Sequence, residues 1–392
     1  MKITKVQIYD VIPVNRSKGW PAKQNPVIIR VVTDEGIYGA GEISLTYGSA
    51  AKAAVGILRD YASEYLIGAD PARIEFMWEG LYRRTFWGQG GGPVIYGGIS
   101  AIDEALWDIK GKMLGVPVYE LMGGKMRDRI HLYANGWYID RTLIQPEEYA
   151  EAALRVIADG YDALKFDPLM VTPEGEWQWV RRTIDSPKRF RLAVERVRAV
   201  REAVGPDVDI LIEMHGNLGV TDAIRLGKEF EAFKPLFYEE PVDPMNVECM
   251  KKVSENVNIP IASGERLYTR YGFREFIEKQ ALNILQPDIG LTGGLTEVKK
   301  IASYAETYNL HVQPHNCGGP VSAAVGLQFD ACTPNFIIQE WFPYWADDRY
   351  EIVTEAPDLQ AQGSYSEIPA KPGLGIELND DYLRRHTCIE IP

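Results

Sequence analysis

A recurring pattern of short apolar runs constrains the fold of this chain more than any other feature of its sequence. From about residue 129 onward, polar residues follow each run, and intervening stretches such as 146–159 and 191–204 have helical patterning. Repeated β-α units predict a parallel sheet, and eight of them predict an α/β fold of the (β/α)8-barrel type. The eight runs are 132–134, 163–166, 210–212, 236–238, 259–262, 283–285, the neighbourhood of Val312, and 336–338.

The first part of the chain has a different pattern. Residues 27–32 form a β-branched run, a turn follows at 34–36, and residues 37–42 are typical of the return strand of a hairpin. Apolar residues then recur at helical spacing over 50–65 and again over 101–114. These features predict a small α+β domain that precedes the barrel.

We therefore expect two domains, because 392 residues exceed the size of one ordinary core. Residues 1–128 would form an α+β capping domain, and residues 129–344 would form the catalytic barrel. The tail, residues 345–392, is rich in proline and glycine and too irregular for another β-α unit. It is expected to run back and complete the capping domain.

Charge and composition narrow the possible partners. The formal net charge of −13 disfavours binding to nucleic acid or to anionic membranes, and no apolar run approaches the length of a membrane span. The N-terminus lacks the apolar core of a signal peptide, and the four cysteines form no CxxC pair, so we expect a cytoplasmic protein with reduced thiols. An anionic substrate would need a local positive centre, such as a metal ion.

Three glutamates follow consecutive predicted strands at equal spacing. Glu213, Glu239 and Glu265 are each 26 residues apart, which is one β-α unit. Barrel enzymes place their active sites at the carboxyl ends of the strands, so the three side chains should converge. Converging carboxylates repel one another unless a proton or a cation neutralises them, and Mg²⁺ prefers such oxygen ligands. Any one of these acids, taken alone, is also compatible with a surface or helix-capping role.

Two histidines also lie at the ends of predicted strands. Asp288 and His315 end the sixth and seventh strands, where the carboxylate would orient the imidazole as a general base. His215 lies two residues beyond Glu213 and would act as a second acid or base. Alternative interpretations are a structural His–Asp pair for the first two residues and a core histidine for the last.

Together these residues resemble the enolase superfamily, in its mandelate racemase-like subgroup, over essentially the whole chain. The resemblance implies that the three strand-end acids bind one Mg²⁺ per subunit and that a base removes the α-proton of a carboxylate substrate. Glu213 departs from the family pattern, in which aspartate is commoner. The segments that carry the resemblance are 212–217 (IEMHGN), 238–241 (YEEP), 263–266 (SGER), 286–288 (QPD), 314–316 (PHN) and 339–341 (QEW).

The acid and base residues point to one branch of that subgroup. Its racemases use a Lys-x-Lys sequence on the second strand, but here the second lysine is replaced, since the sequence reads Lys165-Phe166-Asp167. The presence of His215 instead resembles the acid-sugar dehydratases of the galactonate, gluconate and arabinonate type. The resemblance thus implies a carbon–oxygen lyase that converts an aldonate to a 2-keto-3-deoxy acid.

Within that reaction, the resemblance assigns His315 as the base for the C2 proton and His215 as the acid for the C3 hydroxyl. Glu340, if protonated, would donate a hydrogen bond to the developing charge. Lys165 would contact the substrate carboxylate. Asp167 would contact the sugar chain or pair with Lys165, and both alternatives remain open.

Substrate selection is expected from residues around the barrel mouth. Asn217 follows the third strand, while Trp20 and Tyr47 lie in cap loops that close over the mouth in enzymes of this kind; solvated loops without substrate contact are the alternative. A racemase, a cycloisomerase or a non-catalytic sugar-acid binding protein are the competing functions, and a diacid substrate also remains open. A homo-oligomer is expected by resemblance only.

Overall fold

A computed structural model describes residues 1–13, 25–45, 50–139, 143–344, 348–357 and 360–392 of the protein. Two sheets organise these residues. One is a four-stranded antiparallel sheet, and the other is a curled sheet whose eight principal strands are parallel. Among the described residues, no helix is both long enough and apolar enough to cross a membrane. The four cysteines, all of them among the described residues, form no disulfide bond.

The antiparallel sheet joins the two ends of the chain. Its order is β13-β1-β2-β3, and the tail strand pairs with the first strand from Val6–Ile391 to Asp10–Thr387. The prediction that the tail completes the N-terminal fold is therefore confirmed. The strands are β1 (Ile3–Asp10), β2 (Val27–Thr33), β3 (Tyr38–Ile43) and β13 (Thr387–Ile391).

Helices cover this sheet, and the longest of them lies against β3. A Cβ atom on Gly39 or Gly41 would lie 1.9 Å from the carbonyl oxygen of Ala105 or Ala101, so only glycine permits this approach. The helices are α1 (Ala51–Tyr61), which continues into a π-helical turn at Ala62–Leu66, α2 (Ile74–Arg84), α3 (Pro93–Leu114) and α4 (Val118–Leu121).

The parallel strands follow one another around a barrel in chain order, and the last strand pairs with the first. A parallel bridge between Val312 and Phe336 links the two remaining edges. Strand β12 (Tyr365–Glu367) adds to β4 in antiparallel orientation. The eight strands are β4 (Arg129–Ala134), β5 (Ala163–Phe166), β6 (Asp209–Glu213), β7 (Phe237–Glu239), β8 (Ile261–Ser263), β9 (Ile284–Leu285), β10 (His311–Val312) and β11 (Gln339–Trp341).

The last strand lies three residues later than its predicted position. The predicted run 336–338 makes the bridge to β10, and the chain then shifts across to pair with β4 over Gln339–Trp341. Glu340 is consequently inside the strand rather than after it. An apolar run marks burial, but it does not say which of two neighbouring strands the backbone will bond to.

Helices surround the barrel strands, and side chains fill its interior. Tyr133, Leu211, Phe237 and Ile338 belong to a buried cluster contributed by the strands themselves, so the barrel is a packed core rather than a channel. The helices are α5 (Pro146–Ala158), α6 (Pro187–Val204), α7 (Val220–Phe230), α8 (Val247–Ser254), α9 (Thr269–Glu278), α10 (Ile289–Thr292), α11 (Gly294–Glu306), α12 (Pro320–Ala331) and α13 (Asp380–Leu383), with 3-10 turns at Glu231–Phe233 and Asp348–Ile352.

Buried carboxylates fasten the N-terminal fold to the barrel. Glu42, at the end of β3, accepts hydrogen bonds from the backbone N–H groups of Gly319 (2.6 Å) and Ser322 (3.1 Å) at the start of α12. Asp103 on α3 accepts one from the N–H of Thr296 on α11 (2.9 Å). Helix N-termini favour such negative partners. These bonds hold the end of β3 beside the carboxyl ends of the barrel strands.

Candidate active site

Three carboxylates meet at the carboxyl ends of consecutive barrel strands. Glu213 ends β6 and Glu239 ends β7, and the two residues are register partners across those strands. Glu265 follows β8 by two residues. One oxygen from each carboxylate lies within 4.8 Å of the other two. The structure thus brings together the three residues that the sequence predicts as metal ligands.

The backbone around these acids adopts conformations that few residues tolerate. Gly264 has φ +148°, and a Cβ atom there would lie 2.8 Å from the backbone nitrogen of Gln286, so glycine is required just before Glu265. His215 (φ 49°) and Glu240 (φ 38°) are left-handed although neither is glycine. Such conformations cluster at functional sites, where the surrounding structure holds them in place.

Lys165 lies beneath the carboxylates and is almost completely buried. Its Nζ is 2.8 Å from both oxygens of Glu239, 2.8 Å from Oε1 of Glu340 and 3.4 Å from Oε2 of Glu213. Burial opposes its charge, but these carboxylates raise the pKa of Lys165 well above its ordinary value. The ammonium ion is therefore paired with the acids of the site in this arrangement.

The triad has the donor set and the charge that Mg²⁺ requires. Burial, and after it the charge of the neighbouring Glu213, raise the pKa of Glu239 well above its ordinary value, so the two acids repel each other in a site that already disfavours charge. Lys165 contacts Glu213 and Glu239, whereas Glu265 has only the longer contacts with Nε of Arg266 (3.9 Å) and Nε2 of His315 (3.4 Å). Three oxygen-donor side chains with incomplete compensation fit a hard divalent cation.

His315 borders the Glu265 end of the triad. Its Nδ1 is 2.8 Å from Oδ2 of Asp288, and its Nε2 is 3.4 Å from Oε2 of Glu265 and 3.8 Å from Oε2 of Glu340. Burial opposes a charged ring, yet Cys317 and the carboxylates raise the pKa of His315 well above its ordinary value. The predicted His–Asp pair is present, with Nε2 directed toward the acids.

His215 borders the opposite end of the triad, beside Glu213. Its backbone N–H donates to Oε1 of Glu213 (2.6 Å), and its Nδ1 is 2.8 Å from Oδ2 of Asp167. Burial lowers the pKa of His215, but Glu213 and Asp167 raise it to about 9. Asp167 also accepts the N–H of Leu169 (2.7 Å). The observed partner of Asp167 is thus His215, whereas the sequence analysis expects a contact with the sugar chain or a pair with Lys165.

Glu340 is surrounded by hydrogen-bond donors. It accepts from Nδ2 of Asn135 (2.7 Å), from the N–H of Asn316 (2.9 Å) and from Lys165. Burial alone would raise the pKa of Glu340, but Lys165 and His315 lower it below its ordinary value. These contacts favour the carboxylate over the protonated form that the sequence analysis suggests. Asn135 lies directly after β4 and contacts Glu340, but the sequence analysis did not assign it to the site. Its position at a strand end is the signal that could have identified it.

The structure describes only one of the other three residues that were predicted to contact the substrate. The side chain of Asn217 donates to the carbonyl oxygen of Met214 (3.2 Å), so in this structure it closes its own turn. Trp20 and Tyr47 lie outside the described residues. The structure adds Trp179, whose ring lies edge-to-face with His215 at 4.8 Å between centroids and is 44% exposed. It lies in the long segment between β5 and α6. That segment contains no predicted strand end, so the sequence analysis did not select Trp179.

Comparison with known families gives two matches. The family described as "Mandelate racemase / muconate lactonizing enzyme, N-terminal domain" matches residues 1–123. The family described as "Enolase C-terminal domain-like" matches residues 148–382. The second match covers the barrel strands from β5 to β11, including all three acids of the triad and both histidine–aspartate pairs.

Individual proteins are similar over nearly the whole chain. D-galactonate dehydratase of Xanthomonas oryzae pv. oryzae is 36% identical over 390 residues, which cover 98% of this chain and 94% of that protein. D-gluconate dehydratase of Thermoproteus tenax is 37% identical over 374 residues, covering 93% and 71%. Among solved structures, a member of the enolase superfamily from Salmonella Typhimurium superposes with a TM-score of 0.93 at 41% identity and full coverage of both chains.

Proposed function

Because the chain belongs to the mandelate racemase/muconate lactonizing enzyme family of the enolase superfamily, we propose that it is a sugar-acid dehydratase. The reaction removes the C2 proton and the C3 hydroxyl of an aldonate as water. The enol that results tautomerises to a 2-keto-3-deoxy acid. Relatives named as D-galactonate and D-gluconate dehydratases support this class of reaction.

One observation carries the proposal, namely two histidine–aspartate pairs at opposite ends of one carboxylate triad. His315 lies beside Glu265, and His215 lies beside Glu213. A dehydratase needs a base for one carbon and an acid for the neighbouring oxygen, and this arrangement offers two imidazoles for those tasks. The second-strand position that a racemase would use for an opposite-face lysine holds Asp167, whose carboxylate binds His215.

His315 is suited to take the C2 proton. Asp288 accepts the Nδ1 proton, so the neutral ring presents its lone pair on Nε2. Glu265 is one of the groups that raise the pKa of His315, and a cation held by Glu265 would oppose that effect and favour the neutral ring. Nε2 faces the acids, and so the place where a cation held by them would bind the substrate carboxylate. The ring is 7% exposed, which excludes bulk water as a competing base.

His215 is suited to give a proton to the departing hydroxyl. Its pKa of about 9 keeps the imidazolium populated at neutral pH. Proton transfer from the ring releases the C3 oxygen as water and leaves the electron pair of the C2–H bond in the new C2–C3 double bond. Asp167 stabilises the imidazolium before the transfer and fixes the ring orientation.

Glu213, Glu239 and Glu265 would hold one Mg²⁺. When bound, this ion supplies Lewis-acid stabilisation to a substrate carboxylate and compensates the charge of the triad. Glu340 holds the backbone N–H of Asn316, next to His315, and so fixes the loop that carries the base. Lys165 offsets the negative charge of Glu239 and Glu340.

A substrate panel tests the proposal. Purified protein would be incubated with aldonates and aldarates of different configuration, with Mg²⁺ or with a chelator, and the 2-keto-3-deoxy product would be assayed. We expect at least one acid sugar to yield product, with Mg²⁺ required. A histidine–aspartate pair at the opposite end of the barrel, His131–Asp162 (2.7 Å), provides a matched control, since His131→Asn should leave turnover intact. A C2 epimer formed without loss of water would contradict dehydration.

A further inference from the structure

A second set of metal-binding side chains borders the proposed base. Nε2 of His315, Sγ of Cys317 and a carboxylate oxygen of Glu340 all lie within 4.8 Å of one another. All three side chains are buried. This set differs from the triad because it offers one sulfur, one nitrogen and one oxygen, whereas the triad offers oxygen alone.

Two of the three distances within this set lie close to the edges of a zinc tetrahedron. Sγ of Cys317 is 3.3 Å from Nε2 of His315, and that nitrogen is 3.8 Å from Oε2 of Glu340. Zn–S and Zn–N bonds of about 2.3 and 2.0–2.1 Å place neighbouring ligand atoms roughly 3.3–3.6 Å apart. Small side-chain movements would therefore direct the three donors at one ion, with the fourth position left for water.

The tautomer of His315 also suits a metal ligand. Asp288 lies 2.8 Å from Nδ1, so the ring donates its proton there and presents a lone pair on Nε2 toward Cys317 and Glu340. A carboxylate that accepts the far N–H of an imidazole is the usual support of a metal-bound histidine. This observation is independent of the thiol, and it suits a cation on the same side of the ring as well as it suits the base role; the cation would replace the hydrogen-bond contact between Cys317 and Nε2.

Ligand type decides which cation would bind. Thiolate and imidazole donors select zinc and similar borderline-soft ions, whereas Mg²⁺ prefers oxygen. The two neighbouring sets are thus chemically distinct, although Glu265 lies 3.4 Å from the same nitrogen of His315. A soft ion would favour the set that contains Cys317 even when Mg²⁺ fills the triad.

We propose that His315, Cys317 and Glu340 form an inhibitory site for Zn²⁺ and similar divalent ions. Binding releases the thiol proton of Cys317 to solvent, so the complex holds a thiolate, a neutral imidazole and a carboxylate. The ion occupies the lone pair of Nε2 and thereby blocks proton abstraction. Binding stands on the geometry alone, whereas inhibition rests on the proposed dehydratase function.

Cobalt provides a direct probe of binding that needs no activity. Co²⁺ would be added to the purified protein in the presence of excess Mg²⁺, and the absorption spectrum would be recorded. We expect thiolate-to-cobalt charge transfer and the visible bands of tetrahedral cobalt in the wild type. Cys317→Ser should lose the charge-transfer band. Cys332→Ser should retain it, because that buried thiol contacts the carbonyl oxygens of Gln328 and Phe329 instead.

Zinc inhibition is then measured with the substrate that the panel identifies, and each variant is compared with its own zinc-free rate. The zinc concentration for half-inhibition should rise at least roughly tenfold in Cys317→Ser and stay unchanged in Cys332→Ser. Inhibition that excess Mg²⁺ reverses equally in all three proteins would mean that zinc only replaces Mg²⁺ at the triad, and would overturn the proposal.

Absence of the charge-transfer band in the wild type would also overturn it. The cobalt spectra decide the binding claim even if no acid sugar is turned over, so failure of the dehydratase proposal is recognised separately. If Cys317→Ser does not fold, anomalous diffraction from a zinc-soaked crystal of the wild type decides. Density between Cys317 and His315 supports the site, and density confined to the triad contradicts it.

Discussion

The two sides of the barrel mouth carry the same pair of residue types in different surroundings. On one side Asp288 holds His315, and on the other Asp167 holds His215, in both cases at 2.8 Å from Nδ1. His315 is 7% exposed and faces carboxylates. The side chain of His215 is 25% exposed and lies against Trp179.

This difference shows how one residue pair can serve two kinds of proton transfer. A base that attacks a carbon acid benefits from a site that excludes water, as at His315. An acid that protonates a departing hydroxyl must carry its proton at neutral pH, and His215 does so because Glu213 and Asp167 raise its pKa. The pKa of His315 is raised as well, so the exclusion of water and the position beside the triad, rather than the direction of the pKa shift, separate the two roles.

The largest effect is expected from removal of the base. His315→Asn should lower the dehydration rate by at least about 10³-fold, because the buried site limits the access of water that could replace the imidazole. The measurement is steady-state product formation with saturating Mg²⁺. His131→Asn is the matched control, since that residue forms its pair with Asp162 at the amino ends of the strands. Retained turnover in His315→Asn would remove this residue from the chemistry.

Removal of the acid should have a smaller but still large effect. His215→Asn should lower dehydration by about 10²–10³-fold, because a general acid typically contributes this much and water reaches the more exposed side. Product formation is again the measurement. Equal losses of rate in His215→Asn and His315→Asn would mean that the different solvent exposure of the two histidines has no effect on how well water replaces them.

The aspartates should move opposite limbs of the pH profile. The wild type is expected to lose kcat/KM at high pH, where His215 gives up its proton; because Mg²⁺ at the triad would offset the charge of Glu213, this limb should lie at or below the pKa of about 9. Asp167 raises that pKa, so Asp167→Asn should shift the alkaline limb to lower pH. Asp288→Asn acts on the base, whose pKa Asp288 also raises, so it should shift the acid limb to lower pH instead. Profiles of kcat/KM against pH for both variants provide the test, and the same limb moving in both would contradict the assignment.

The smallest effect is expected from the aromatic neighbour of His215. Trp179→Ala should lower kcat/KM about two- to tenfold, since an edge-to-face contact contributes about 0.5–1.5 kcal/mol. Trp179→Phe, which keeps an aromatic ring, should retain most of the activity. Identical values for both variants would show that the contact with His215 has no part in orienting the acid.

Sequence order was sufficient to predict much of this site. The carboxyl ends of parallel strands gather at one edge of a barrel, so residues after successive apolar runs must converge. Glu213, Glu239 and Glu265 could be grouped on that basis, as could Asp288 with His315. The membership of the tail in the N-terminal sheet followed from its irregular pattern.

Side-chain partners were harder to predict because they depend on orientation. Asp167 and His215 end neighbouring strands, yet their contact also requires the left-handed backbone of His215. Cys317 was considered only as a reduced thiol, and its distance from His315 depends on the loop after β10. Asn135 carries no charge, so a search for acids and bases passed over it. The protonation of Glu340 depends on three donors from other segments of the chain.

Proton exchange at C2 tests the division of labour between the two histidines most directly. Each variant would be incubated in D₂O with Mg²⁺ and the aldonate that the wild type dehydrates, and the C2 proton would be followed by NMR. His215→Asn should exchange the C2 proton while releasing little product, and His315→Asn should do neither. Exchange by His315→Asn, or its absence in a folded His215→Asn that binds substrate, would contradict the assignment of His315 as base and His215 as acid.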